Sequence, residues 1–133
     1  MRDRLRFRQQ PDTRARGRVG EDDAVRWLTA RGYRLVARNL RNRGGEIDVV
    51  AEHDGTLCFV EIKARANAAY GPAIGAVPHA KQRRISRAAA LYLARHDVRG
   101  PCRFDVLAMD LDASGRWRFQ LVTNAFEATD GAW

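Results

Sequence analysis

Two short segments of the 133-residue chain concentrate the side chains that chemistry needs: Glu46-Ile47-Asp48 and Glu61-Ile62-Lys63. Between them stands Asp54-Gly55, a dipeptide that favours a two-residue hairpin turn. If His53 and Thr56 close that turn, counting back in register sets Glu52 against Leu57, Val50 against Phe59, Asp48 against Glu61 and Glu46 against Lys63. Side chains alternate faces along a strand, so Glu46, Asp48, Glu61 and Lys63 share one face at one end of the hairpin. Directly opposed residues lie roughly 4.5–5.5 Å apart at Cβ. Carboxylates that close repel, and one of them holds its proton more tightly unless a cation sits between them. A divalent cation relieves that repulsion, and Mg²⁺ is typically held by one or two carboxylates together with water and phosphate. Such an ion polarises a phosphodiester and acidifies an attacking water. The Lys63 ammonium, two residues from Glu61 on the same face, is placed to orient that water or to offset charge on the phosphoryl group. The same residues also read as a salt-bridged strip, Glu46–Lys63 and Glu61–Lys63, with a small effect on stability.

The remainder of this strand pair is apolar on both faces. Val50, Leu57 and Phe59 continue the charged face, and Ile47, Val49, Ala51, Cys58, Val60 and Ile62 form the other. Such a pair is covered on both sides. A first helix is expected from about Gly17 to Arg31, with Ala24, Val25 and Leu28 at helical spacing and Gly32 as its stop. Glu21 precedes those three by three, four and seven residues, which puts it on the apolar stripe. A carboxylate there is costly without a partner, although the first turn of a helix also favours an acid through the dipole. A second helix is expected from about Pro78 to Arg95, with Ile85, Ala88, Ala89 and Tyr92 as its stripe. Strands are expected over Tyr33–Asn39, Glu46–Glu52, Thr56–Ala64, and near 103–110 and 116–122. Residues 65–77 form a loop with Gly71, Pro72 and Gly75, where Tyr70 reads as a cap on the core. The order α-β-β-β-α-β-β describes an α/β domain with a mixed central sheet of about five strands and an antiparallel start. We place that domain at 17–127, between a basic arm at 1–16 and a tail at 128–133.

Composition points to a partner. Net charge is +8 and the sequence pI is about 10.7, which suits a polyanion, most often nucleic acid, DNA ahead of RNA. No apolar run approaches the ~20 residues of a membrane span, and the basic N-terminus lacks the apolar segment of a secretory signal. Cys58 and Cys102 are too few for a disulfide scaffold, so a reducing, cytoplasmic setting is expected. Neither has a Cys-x-x-Cys neighbour for structural zinc, and His53, His79 and His96 lack metal-ligand spacing. Of 24 basic residues, 22 are arginine and only Lys63 and Lys81 are lysine. Lysine carries a compact ammonium on a flexible stem that Arg does not always replace, so both positions are candidates for a need specific to Lys. Lys81 and Arg84 share one face of the second helix, as a phosphate grip or as a solvated face. Arg43, in the basic turn Arg41–Gly45, and Arg65, just past Lys63, extend the candidate nucleic-acid contacts. The arm, with Arg2, Arg4, Arg6, Arg8, Arg14 and Arg16, either wraps a phosphate backbone or is a solvated tail. Trp27 reads as helix packing, and Arg103-Phe104-Asp105 as a buried ion pair that stabilises the sheet.

The stretch Gly44-Gly45-Glu46-Ile47-Asp48 followed by Phe59-Val60-Glu61-Ile62-Lys63 resembles the PD-(D/E)XK motif, a sheet Asp, a spacer and Glu-x-Lys on the next strand. Ile47 stands where the motif's name has Pro. Gly20-Glu21 is similar to the additional helical acid of archaeal Holliday junction resolvases. More closely, the chain from Gly17 to Phe126 resembles the bacterial YraN-like family. Gly20-Glu21, Arg38-Asn39, Gly45-Glu46-Ile47-Asp48, Val60-Glu61-Ile62-Lys63, Lys81, Arg103-Phe104-Asp105 and Asn124-Ala125-Phe126 carry the likeness. The resemblance implies a restriction-endonuclease-like fold in which Asp48 and Glu61 bind Mg²⁺ or Mn²⁺, Glu21 assists them, and Lys63 is the catalytic lysine. The implied activity is metal-dependent endonucleolytic hydrolysis of DNA, either selective for structures such as junctions or flaps or non-specific, with a non-cleaving nucleic-acid-binding module as the alternative. By analogy with resolvases it also implies a homodimer. Fold by itself does not fix function.

Overall fold

The structure, a computed structural model, describes residues 13–65 and 77–129. Its elements are α1 (Thr13–Ala30), β1 (Arg34–Asn42), β2 (Gly45–His53), β3 (Thr56–Arg65), α2 (His79–Arg95), β4 (Cys102–Leu111) and β5 (Trp117–Phe126). The order is the expected α-β-β-β-α-β-β. The arm up to residue 12, most of the loop after β3 with Tyr70, and the last four residues lie outside the described residues.

The five strands form one sheet in the order β1-β2-β3-β4-β5. β1, β2 and β3 are antiparallel neighbours, β3 and β4 run parallel, and β4 and β5 are antiparallel. Only the parallel pair needs a long crossover, and α2 is carried by it. Each face of the sheet is covered by one helix. Against α2 pack Ile47, Val50, Phe59, Phe104 and Val106, which meet Ile85, Ala88, Ala89 and Tyr92. Against α1 pack Val49, Ala51, Cys58, Val60, Leu107 and Met109, which meet Ala24 and Leu28. The central strands are buried on both faces, as their sequences require.

Three boundaries differ from expectation. α1 begins at Thr13, inside the stretch assigned to the arm. β1 continues to Asn42 because the basic turn is a tight hairpin: Asn42 pairs with Gly45, and the Gly44 N–H donates to Asn42 Oδ1 at 2.8 Å. β5 continues to Phe126 because a register shift near Phe104/Val106 restores pairing at Phe104↔Phe126. The two isolated side-chain readings hold. Trp27 stacks on Phe119 with centroids 5.1 Å apart, and Arg103 Nε lies 2.9 Å from Asp105 Oδ1, with Asp105 fully buried.

The Asn42–Gly45 turn is pressed onto α2. A Cβ on Gly44 would stand 2.8 Å from the Ala88 backbone nitrogen, and one on Gly45 would stand 2.8 Å from the Arg84 carbonyl oxygen. Real Cβ contacts do not come that close, so these two positions require glycine. Asn42 Nδ2 adds a hydrogen bond to the Ala88 carbonyl at 3.0 Å. The β1–β2 hairpin is thereby fixed against the middle of α2, which sets strand β2 and the start of α2 in one frame.

Candidate functional site

The Asp54-Gly55 turn has φ of +49° and +81°, the paired left-handed conformation of a type I′ hairpin. The ladder it launches follows the predicted register, from His53↔Thr56 through Glu52↔Leu57, Ala51↔Cys58 and Val50↔Phe59 to Val49↔Val60. Antiparallel ladders alternate hydrogen-bonded and open pairs. After Val49↔Val60 the next exchange is therefore due between Ile47 and Ile62. There the Ile62 N–H instead donates to Asp48 Oδ2 at 2.8 Å. The Asp48 carboxylate has moved into the seam between the strands.

The cause is a local rotation of both neighbouring strands. Ile47 and Val50 pack on the α2 side, whereas Val49 and Ala51 pack on the α1 side. Strict alternation would keep Ile47 with Val49, as the sequence predicted, so the backbone turns over at Asp48 and that expectation for Ile47 is corrected. β1 does the same opposite: Ala37 and Leu40 both pack on the α2 side, and Asn39 between them has φ +50°. Asn39 lies between the pairs Arg38↔Val49 and Leu40↔Ile47, hence across from Asp48. Asn tolerates the left-handed region better than most residues.

Glu61 follows Val60 on β3 and is 6% exposed. Its Oε2 lies 2.5 Å from the Lys81 ammonium, which reaches down from the first turn of α2 and is itself 45% exposed. Asp48 and Glu61 act on each other directly. Burial raises Asp48 from the ordinary carboxylate value to about 7, the Glu61 charge and a hydrogen bond with Glu61 add to the rise, and the Ile62 N–H and Lys81 oppose it. Lys81 is raised in turn: burial opposes its charge, but the bond to Glu61 and the charges of Glu61 and Asp48 prevail. The Lys81 ammonium thus acts on both carboxylates, bonded to Glu61 and attracted by the charge of Asp48.

The other predicted residues lie around this pair. Lys63 is half-buried on β3, opposite Ala108. Glu46 turns to β1, where its Oε2 meets Arg41 Nε at 3.3 Å. Glu21 is held through its Oε1 by Asn39 Nδ2 at 3.2 Å, with Arg38 at 3.7 Å. It therefore touches the residue across from Asp48. The neighbouring Gly20 stands against the β3 end, where an added Cβ would lie 3.8 Å from the Ala64 Cβ. Among the described residues no group of three or more His, Cys, Asp or Glu side chains is gathered closely enough to hold a metal ion. The Asp48–Glu61 pair fits a hard divalent cation: two carboxylates in contact with each other beside the Lys81 ammonium.

The basic candidates lie in three places. Lys81, Arg84 and Arg87 are exposed along one edge of α2. Arg43 lies in a shallow groove with Arg41, Asn42, Leu91, Ala94 and Arg95. Arg65 ends β3 opposite Asp110. From the sequence Lys81 falls on a face that grips phosphate or is solvated, and its contact with Glu61 is not foreseen. The available signal was its status as one of two lysines among 24 basic residues.

Residues 20–109 match the model of a family described as "Uncharacterised protein family UPF0102", so the chain belongs to the UPF0102, or YraN-like, family. It is 50% identical over 113 residues to a UPF0102 protein of Symbiobacterium thermophilum, covering 84% of this chain and 96% of that one. A UPF0102 protein of Pelobacter propionicus is 44% identical over 121 residues, covering 89% and 86%. One of an Acidovorax species is 48% identical over 120 residues, covering 87% of each. The matched segment contains Glu21, Asp48, Glu61, Lys63 and Lys81. No described helix is long and apolar enough to cross a membrane.

Proposed function

We propose that the protein is a metal-dependent nuclease that hydrolyses phosphodiester bonds in DNA, with Mg²⁺ or Mn²⁺ held by Asp48 and Glu61. One observation carries the reading: the Asp48 and Glu61 side chains are held against each other, where burial and the Glu61 charge push Asp48 up to about 7. A fold gains nothing in stability from such a pair, and perturbed carboxylates in this arrangement concentrate at functional sites. A bound divalent ion would supply charge for the phosphoryl oxygens and acidify a water. Asp48 and Glu61 would hold that ion. Lys63 would orient the water or offset phosphoryl charge, and Glu21 would support the acid pair across Asn39. Lys81, Arg84, Arg43 and Arg65, with the +8 charge, would hold the phosphate backbone.

The test is cleavage by purified protein of branched, flapped and single-stranded DNA with Mn²⁺ or Mg²⁺, with RNA counterparts in parallel. Cutting that is lost in Asp48→Ala and Glu61→Ala is expected. Wild type that leaves every substrate intact, or Asp48→Ala that cuts like wild type, would sink the proposal. The lack of a third acidic ligand within reach, among the described residues, favours a second reading: a nucleic-acid-binding module that does not cut. That reading expects salt-dependent binding that is indifferent to metal.

A further inference from the structure

Lys81 is in an unfavourable place for a cation. It lies in the first turn of α2, where the helix dipole favours negative charge. Its backbone N–H is already bonded to the Pro78 carbonyl at 3.0 Å, so its main chain belongs to the helix start and its side chain alone reaches the sheet. What holds it there is Glu61, a carboxylate almost without solvent. Removing an ammonium bonded to a buried acid is normally costly, yet this ammonium is half-exposed and can leave without crossing the core. The acid pair it serves carries two potential negative charges. One ammonium balances half of that; a divalent ion balances all of it.

We propose that Lys81 is a resident counter-ion, which neutralises Glu61 while the site is empty, is displaced when a divalent cation binds Asp48 and Glu61, and is thereby released towards the phosphate backbone. This rests on the nuclease reading for the identity of the cation and of the phosphate. It adds that metal uptake and phosphate capture are coupled through one side chain. Before nucleic acid arrives, the cation must compete with Lys81 and binds weakly. Once a phosphate is present, the freed ammonium has a new partner, and the competition is relieved. Such a coupling is reciprocal: whatever the phosphate does for the metal, the metal does for the phosphate.

The experiment is calorimetric titration of Mn²⁺ into the wild type, Lys81→Met and Arg99→Gln, without nucleic acid. Lys81→Met should bind Mn²⁺ roughly tenfold more tightly than wild type, near the low end of ordinary coupling strengths because Lys81 is half-exposed. Arg99→Gln, which removes an exposed charge beyond the far end of α2, should stay within about twofold of wild type, as a distant surface charge would. Equal or weaker binding by Lys81→Met overturns the counter-ion role and leaves the metal site standing. No Mn²⁺ uptake by either protein removes the metal site itself, and the inference with it.

A second measurement needs no variant that might unfold. The chain has only two lysines, so protein labelled with ¹³C-lysine gives two Cε signals, assigned with Lys81→Arg. Adding Mg²⁺ should move the Lys81 signal towards that of a solvated lysine. A Lys81 signal that stays fixed while Mg²⁺ binds overturns the proposal.

Discussion

Two groups of buried carboxylate lie on opposite faces of the same sheet, and the molecule treats them differently. On the α1 side, the fully buried Asp105 accepts from Tyr33 Oη at 3.1 Å, from Arg103 Nε at 2.9 and 3.1 Å, and from the Asn124 N–H at 2.9 Å. Its charge has a guanidinium of its own. Arg103 shows the match from the other side: burial opposes its charge, but the hydrogen bonds and charge of Asp105 raise its pKa further. Burial and the Asp105 charge push Tyr33 up to about 12, so it stays a donor. On the α2 side, Asp48 and Glu61 share Lys81. A saturated buried charge stabilises or orders a fold, whereas an under-compensated one costs stability. The first describes a strut, and the second is the pair we propose as a metal site.

The largest effect that tests this contrast is at Asp105. Asp105→Ala leaves Arg103, the Tyr33 hydroxyl and the Asn124 N–H facing a void, which should cost about 3–5 kcal/mol. Urea unfolding at neutral pH measures it. A loss below about 1.5 kcal/mol, no more than one ordinary hydrogen bond, would remove the distinction between the two sites.

Asp48→Asn should act in the opposite direction. The amide oxygen keeps the Ile62 N–H, and the amide nitrogen can donate to Glu61. In the folded chain Asp48 keeps its proton up to about 7, while in the unfolded chain it loses it near 3.8. The folded state therefore binds more protons between those values, and wild-type stability falls as pH rises through that window, then levels off. In chelator, Asp48→Asn should match wild type below pH 4 and be more stable by roughly 2 kcal/mol at pH 8, about half the full linkage value because the proton is shared with Glu61. A variant that gains stability while losing cleavage is the signature of a site kept for function. Equal loss of stability at all pH values would make Asp48 structural. Tyr33→Phe should cost less, about 1 kcal/mol, since Asp105 retains Arg103 and Asn124; a cost near that of Asp105→Ala would mean the three donors act as one unit.

The strut was easier to see in the sequence than the site. Arg103-Phe104-Asp105 puts a guanidinium and a carboxylate two residues apart on one strand face, so alternation alone brings them together. The hairpin register was legible for the same reason: Asp54-Gly55 fixes the turn, and period-two counting carries it to Val49↔Val60. Past that pair Asp48 and Glu61 still meet as the count predicts, but the backbone turns over at Asp48, across from Asn39 with its positive φ on the neighbouring strand. Nothing local to Asp48 announces it. Lys81 was equally hidden, since its contact with Glu61 spans a loop and a helix start, and depends on the Asn42–Gly45 turn locking onto α2. Local chemistry was readable; the juxtaposition of elements distant in sequence was not.

Glu21 is the residue on which the two sites can still be told apart, and its substitution should perturb stability least. Glu21→Gln keeps an oxygen for Asn39 Nδ2, and Arg38 keeps its 2.8 Å contact with Asp22. With that hydrogen bond kept, the expected change on this partly buried side chain, 21% exposed, is below about 0.5 kcal/mol. If Glu21 belongs with the acid pair, it acts on the site through Asn39, which sits across from Asp48. Loss of its charge should then weaken Mn²⁺ binding roughly tenfold, as loss of an outer support commonly does. Calorimetry beside a urea melt separates the two quantities. Weaker binding at unchanged stability assigns Glu21 to the site and extends it from β2 and β3 to α1. Unchanged binding returns Glu21 to the ion pairs that fasten α1 to β1, and narrows the site to Asp48, Glu61 and the lysines beside them.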